Sequence, residues 1–335
     1  MSGKMQLAEI GEMAANALRG AGARDQNAAS VARSTVLAER DGIRSHGLLY
    51  VPIYAEHVRC GKVDGEAVPV VSRSAPGVVR VDARNGFAHP AIDAGFELAC
   101  AAARENGIAS LTLHNSYNCG VLGHHAERFA EVGLVGLCFT HAPASIAPVG
   151  GRKPVIGTNP FALGVPDGKG GAAFVIDQSA SAIAKSEIML RARMGEPIEP
   201  GWAIDCEGRP TTDAQEALKG AMLPAGGYKG FGIGLTVEVL ASCLAGALLS
   251  KDAGAFSGTA GGPPSSGQCF IAIDPQAHSG AYFHAQIERL CQLIEEQDGA
   301  RLPGSRRAAN RVRIEREGVA VDDDLKARIL AYCES

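Results

Sequence analysis

Between Phe231 and Leu249 the chain is almost wholly apolar and about long enough to cross a bilayer, yet Glu238 stands at its middle. A charge at bilayer depth is expensive. With Thr236, Ser242 and several small residues, the stretch therefore reads as a helix buried in a soluble core, not as a membrane span. The chain can supply such a core: 46% of its 335 residues are hydrophobic, 20% are charged, and no disorder signature is present. Its length points to two lobes or one large domain with additions. A formal net charge of -4 gives no global attraction to nucleic acid or to an anionic membrane surface. The local arginines Arg306, Arg307, Arg311, Arg313 and Arg316 read as the solvated face of a late helix.

Nine cysteines, at 60, 100, 119, 138, 206, 243, 269, 291 and 333, sit singly with no Cys-x-x-Cys pair. An odd, scattered set within apolar runs reads as buried free thiols in a reducing compartment. The first residues lack an apolar run of signal-peptide length, so the expected location is the cytoplasm.

Both ends of the chain look helical. Leu7, Ile10, Ala14, Ala17 and Leu18 recur at helical spacing before Gly20 and Gly22, and a second helix starts at Asp25 or Asn27 and runs to Asp41-Gly42. Leu48 to Val58 resumes the pattern, so Arg44-Ser45-His46-Gly47 falls in the joint between two helices. From Gly77 strands alternate with helices: strands at Val78 to Val81, Ile108 to Leu113, Leu134 to Thr140, Phe161 to Val165, Ala172 to Ile176 and Gln268 to Ile273, with helices from Pro90, around Leu122 to Ala130, and from Ser181 to Arg193. Gly195 to Asp213 reads as a long loop and Ser257 to Gly267 as a Gly/Pro/Ser crossing or lid. Helices at about 281–297, 306–317 and 324–333 close the chain. The expected division is a helical lobe of 1–75 plus 280–335 around an α/β domain of 76–279.

Several chemistries are excluded by motif. No P-loop and no Gly-x-Ser-x-Gly elbow occurs, and His114, His124, His125 and Cys119 match no zinc spacing, so no metal is expected. Gly230-Phe-Gly232-Ile-Gly234 has a displaced third glycine and no preceding strand, which rejects the usual dinucleotide fold. Those glycines open a helix beside Lys229, an arrangement that suits either a phosphate or a tight turn. His46, flanked by a hydroxyl and a guanidinium, is the side chain matched to proton exchange near pH 7. Polar loops gather at strand ends: Asn115 to Gly120, Gly157 to Pro160, Asp177 to Ser179, Lys185 to Glu187 and Gly227 to Gly230. Each alone is an ordinary turn or cap; together they suggest a cleft.

These residues resemble the malate/L-lactate dehydrogenase family, which uses nicotinamide cofactors without the usual glycine-rich fold. The matches run nearly end to end: Ser45-His-Gly47, Gly61 to Gly65, Asn85-Gly-Phe87, Asn115 to Gly123, Pro148 to Phe161, Asp177 to Ser181, Gly226 to Gly230, Thr259 to Gly267 and Leu302-Pro-Gly304. The resemblance implies an α/β fold with a non-Rossmann mixed β-sheet flanked by helices, a helical lobe from both chain ends, and a homodimer with its site near the interface.

It also implies roles. His46 would be the acid/base and Ser45 would orient it, with Glu187 completing the relay where the imine reductases of the family carry Asp. Lys185 and Ser186 would face the substrate, Lys185 replacing a His. Tyr50 stands where an Arg often grips the substrate carboxylate, which shifts that work to Lys185, Arg44 or Thr158. The cofactor would lie against Asn118, Cys119, Gly120, Val121 and Leu122, against Ile176, Asp177 and Gln178, against Lys229, and against the loop that includes Gly304, Ser305, Arg306 and Arg307. The last two favour the 2'-phosphate of NADP over NAD. The implied reaction is hydride transfer between a nicotinamide and a small 2-oxo or 2-hydroxy acid of malate, lactate or sulfolactate type. Reduction of a cyclic imino acid is the alternative.

Overall fold

The computed structural model describes residues 3–333. In chain order it contains β1 (Lys4–Met5), α1 (Leu7–Gly20), α2 (Asp25–Arg40), α3 (Val51–Arg59), β2 (Val70–Ala75), β3 (Val78–Asp82), α4 (Ala88–Asn106), β4 (Ile108–Ser116), α5 (Leu122–Glu131), β5 (Val135–Thr140), β6 (Phe161–Pro166) and β7 (Ala172–Gln178). There follow α6 (Lys185–Met194), β8 (Ala203–Ile204), β9 (Pro210–Thr211), α7 (Ala214–Lys219), β10 (Ala221–Met222), α8 (Tyr228–Glu238), β11 (Ser266–Ile273), α9 (Pro275–His278), α10 (Ala281–Glu295), α11 (Ser305–Glu317), β12 (Val319–Ala320) and α12 (Asp323–Leu330).

Seven strands form the central sheet in the order β2-β3-β4-β11-β5-β6-β7. Only β3 and β4 run parallel, joined by α4; every other pair is antiparallel. This is a mixed sheet, as the resemblance implies, and not the doubly wound arrangement that the displaced glycines had excluded. Alternation explains the strands. Ala109, Leu111 and Leu113 of β4 enter the main core with Phe270 and Ala272 of β11. Into the same core α4 sends Ile92, Phe96 and Ala99, and α5 sends Leu122, Ala126 and Phe129, so that Phe96 and Phe129 meet with ring centroids 4.8 Å apart. Gly107 at φ +80 ends α4 in the left-handed conformation that glycine takes without strain.

Both chain ends share a second core. Ile10, Met13, Leu48 and Val51 pack with Ile314, Val319, Val321 and Ile329, and β1 pairs with β12.

Four expectations change. The region 195–213 is not one loop: β8 and β9 pair there, and β10 extends them into a small three-stranded sheet that packs Trp202 against its own core. β2 joins the main sheet at its edge, although its residues fall in the segment assigned to the helical lobe. Three cysteines, Cys60, Cys206 and Cys243, are exposed, because the helix and loop positions they occupy face outward. The apolar stretch is α-helical only to Glu238, continues as a π-helical turn over Val239–Leu244, and leaves Ile233, Leu235, Val239 and Leu244 exposed in the single chain. Among the described residues no helix is long and apolar enough to cross a membrane.

Candidate active site

His46 ends a 3-10 turn, Arg44–His46, that follows α2, and a second such turn, Leu48–Tyr50, leads into α3. Gly47 separates them because a Cβ there would collide with the carboxylate of Glu39. That carboxylate accepts the Leu48 amide at 2.7 Å, and its burial raises the Glu39 pKa. The turn is thus pinned from beneath. Above it, His46 is half-buried, Ser45 Oγ lies 3.0 Å from its Nδ1, and the Tyr50 ring stacks parallel to the imidazole at 6.0 Å. Tyr50 rests in turn on the buried Tyr54, whose hydroxyl donates to Asn118 Oδ1 at 3.3 Å.

Burial pushes the His46 pKa below its ordinary value. The Asp177 carboxylate pulls it back up, while His124 and Arg307 push it further down. The imidazole therefore lies within electrostatic reach of Asp177 at the end of β7 and of Arg307 at the start of α11. There Arg307 donates to Asp177 Oδ2 at 3.1 Å, and the Gly123 amide at the start of α5 donates to the same oxygen at 2.9 Å. A Cβ on Gly123 would stand 2.5 Å from an Arg307 nitrogen, so glycine leaves room for the Arg307–Asp177 pair over the start of α5.

Asn118 to Leu122 form the turn before α5. Asn118 Oδ1 accepts the Gly120 amide at 2.7 Å, Gly120 adopts φ +71, and Cys119 is buried with its thiol pKa pushed up to about 12. Val121 and Leu122 are buried. Ile176 is half-buried and Gln178 exposed at the end of β7, and Gly304 at φ +88 opens α11, followed by exposed Ser305 and Arg306.

A second group of loops is laced together by backbone hydrogen bonds. The Ala180 amide donates to Thr158 at 2.8 Å, the Ala225 amide to Ala180 at 2.9 Å, and the Ala182 amide to Leu223 at 2.9 Å. This brings together Thr158, the start of α6 with exposed Lys185 and Ser186, and the start of α8 with exposed Lys229. β7 runs between the two groups, because Gln178 pairs with Phe161 while Asp177 accepts from Gly123 and Arg307. Glu187 is ion-paired at 3.1 Å to Arg191 on its own helix, and no hydrogen bond joins it to Ser45 or His46 among the described residues. Arg44 is exposed and donates to the Ala320 carbonyl at 3.4 Å.

The reading of the late arginines as a solvated face is corrected. Arg307 pairs with Asp177, and Arg311 grips both Asp41 and Glu127, because α11 lies against α2 and its arginines reach α5 and β7. Asp41 and His124 went unnoticed as a pair. The buried His124 Nε2 meets Asp41 Oδ2 at 3.0 Å across 83 residues of chain, and no local pattern signals a contact of that range. Arg306, Lys185 and Lys229 have no ion-pair partner among the described residues, and no cluster there suits a metal ion. Arg306 and Lys229 stand in the first turns of helices opened by Gly304 and Gly227, an arrangement that suits a phosphate-bearing ligand.

The sequence profile of the malate/L-lactate dehydrogenase family matches residues 5–330. Δ1-pyrroline-2-carboxylate reductase of Ancylobacter novellus is 41% identical over 331 residues, spanning 98% of this chain and 97% of that protein. The NADP(+)-linked (2R)-3-sulfolactate dehydrogenase of Chromohalobacter salexigens is 42% identical over 335 residues, spanning 100% and 99%. The solved structure of Δ1-piperideine-2-carboxylate reductase from Pseudomonas syringae superposes with a TM-score of 0.92 at 34% identity, covering 99% of this chain and 100% of that one. Fold and relatives together define an NAD(P)-dependent oxidoreductase built on a mixed sheet. The chain belongs to the malate/L-lactate dehydrogenase family.

Proposed function

We propose that His46 exchanges a proton with the substrate while a nicotinamide cofactor exchanges a hydride with the adjacent carbon, interconverting a small 2-oxo acid and its 2-hydroxy acid. One observation carries this reading: a half-buried imidazole of lowered pKa, held by Ser45 and stacked on Tyr50, lies within electrostatic reach of the Asp177–Arg307 pair. A ring that is mostly neutral near pH 7 accepts a proton from a hydroxyl and returns it in reduction.

The nicotinamide cofactor supplies the hydride. Asn118 to Leu122, Ile176 to Gln178 and Gly304 to Arg307 would hold it, supported by the glycine-opened turns and the close approach at Gly123. Arg307 is already neutralised by Asp177, so the unpaired Arg306 is the cation available to a 2'-phosphate, which favours NADP. Lys229 would add charge at the start of α8. On the substrate, Thr158 and Ser186 would donate hydrogen bonds, and the unpaired Lys185 would meet a second acidic group of malate or sulfolactate type. Glu187 would orient His46 and Ser45 only after exchanging its Arg191 partner or from a second copy of the chain.

A second reading, reduction of a cyclic imine beside a carboxylate, is favoured by Tyr50. Its ring gives the site an aromatic wall parallel to His46, suited to a flat cyclic substrate, and the Ancylobacter relative carries that activity in its name. The exposed apolar residues Ile233, Leu235, Val239 and Leu244 support a homodimer in which a second copy covers them. Nine free cysteines, four of them buried, support a reducing cytoplasm.

The test is a panel of 2-oxo acids and cyclic imines, each with NADPH and with NADH, followed by loss of reduced-cofactor absorbance. Turnover of oxaloacetate, pyruvate or sulfopyruvate is expected with NADPH preferred. Faster turnover of the cyclic imines would transfer the assignment to the second reading, and no turnover of either class would remove both.

A further inference from the structure

Glu238, the one charge in the apolar stretch, is buried, and three donors converge on it. Asn159 Nδ2 reaches Oε2 at 2.7 Å, the Ser250 hydroxyl reaches the same oxygen at 2.5 Å, and the Ser250 amide reaches Oε1 at 2.6 Å. A carboxylate is a costly means of joining a helix to its core, and an apolar group of similar volume serves stability as well. What this carboxylate holds is therefore informative.

It holds the Gly157–Pro160 turn. Asn159 is wholly buried at φ +40; it also donates to the Gly234 carbonyl at 3.0 Å and accepts the Ala142 amide at 3.3 Å. A Cβ on Gly157 would overlap the Ala142 carbonyl, so the turn is packed from both sides of Thr158. The same carboxylate reaches the end of the Gly/Pro/Ser segment. The Gly267 amide donates to His141 Nε2 at 2.9 Å, which leaves the proton on Nδ1, 3.4 Å from Ser250 Oγ. The near end of that segment is tied separately, by Lys62 donating to the Ala255 and Gly258 carbonyls at 2.7 and 3.0 Å. Immediately after Glu238 the helix changes from α to π, an irregularity that recurs at functional positions.

We propose that Glu238 is a positioning residue for substrate: acting through Asn159, it sets the turn that presents Thr158 to the substrate carboxylate and ties that turn to the far end of the Gly/Pro/Ser segment. This rests on the role given to Thr158 above. Glu238 touches neither substrate nor cofactor; its effect is on where the turn stands.

The experiment compares the full-length enzyme with Glu238→Gln, which keeps the shape but places an amide donor among three donors. With the panel substrate that the wild type turns over best, KM is expected to rise about tenfold or more, as expected for one hydrogen bond lost to a charged group. The turnover number should stay within about threefold, and NADPH affinity by fluorescence titration should be unchanged. Adding Asn159→Asp restores a donor-acceptor pair and should recover part of the KM. If Glu238→Gln does not fold, Asn159→Ser, which leaves Glu238 with Ser250, reads the same link and should show the same selective rise. A fall in melting temperature with KM unchanged overturns the proposal, as does a loss of NADPH affinity equal to the rise in KM. A wild type inactive on the whole panel removes the functional reading and this inference together, whereas an active wild type with an indifferent variant removes this inference alone.

Discussion

Arg311 holds Asp41 in a two-point grip, Nε to Oδ1 at 2.7 Å and a terminal nitrogen to Oδ2 at 2.8 Å, while the same guanidinium holds both oxygens of Glu127 at 2.6 and 2.7 Å. Burial alone would raise the Asp41 pKa, but hydrogen bonds from Arg311 and His124 hold it well below the usual carboxylate range. Asp41 ends α2 just ahead of the His46 turn, and α11 also carries Arg307, one turn earlier, on Asp177. One helix thus sets the distance between the turn that carries His46 and the end of β7.

Arg311→Ala takes a forked cation from two carboxylates, one of them fully buried and left with Arg40 at 3.2 Å and His124 at 3.0 Å. The expected loss is about 3–5 kcal/mol of unfolding free energy, read by denaturant unfolding. Arg311→Lys, which cannot fork across two carboxylates, should recover only part. An alanine variant as stable as the parent would show that the grip contributes nothing.

The pH profile follows from the His46 environment. Oxidation needs the neutral ring, so kcat/KM for the hydroxy acid should climb on a single proton with a midpoint below 6.5 and level off above it; reduction, which needs the protonated ring, should fall through the same midpoint. The Asp177 charge favours the protonated ring, so Asp177→Asn should move the midpoint lower still. A midpoint above 6.5, or one that ignores Asp177, would separate His46 from the proton transfer.

Gly123→Ala puts a methyl 2.5 Å from Arg307 and 2.8 Å from Asp177, displacing the side chains of that ion pair. Affinity for NADPH, measured by fluorescence titration, should weaken by about tenfold or more. Unchanged affinity would place the cofactor elsewhere.

Acid should unfold the protein through two buried imidazoles. Burial, the largest influence on each, lowers the His89 pKa to about 4 and the His125 pKa to about 3. The unfolded chain takes up these protons near pH 6.5, so the stability they contribute is complete above that pH and is lost as pH falls toward 4 and 3. Each adds up to about 1.4 kcal/mol per pH unit to the slope. Unfolding titrations of His125→Phe should show a flatter decline over that window, and an unchanged slope would exclude His125 as its source.

Much of this was legible in the chain because strand and helix periods are local. Leu111 and Leu113, or Ile92 and Phe96, announce which face they bury without reference to anything distant. Neighbour order is another matter: nothing in Gln268 to Ile273 says that this strand lies between β4 and β5. The same limit hid the ion pairs. Arg307 and Arg311 looked like solvated charge because their carboxylates, Asp177 and Asp41, stand 130 and 270 residues away. The place of His46 in a joint between two helices was legible, whereas the glutamate that packs under Gly47 shows only once α2 is folded. Short paired elements such as β8 and β9 were missed because two residues carry no period.

The position of β11 also bears on how the molecule is made. Its two partners, β4 and β5, leave the ribosome more than a hundred residues before it does, and until Ser266 to Ile273 emerges their facing edges have no mate. A nascent chain therefore carries an unzipped sheet from the completion of β5 until β11 emerges, with bare amide rows open to any passing strand. The last third of the polypeptide is the wedge that closes it, and a ribosome stalled before residue 273 would release a species prone to aggregate.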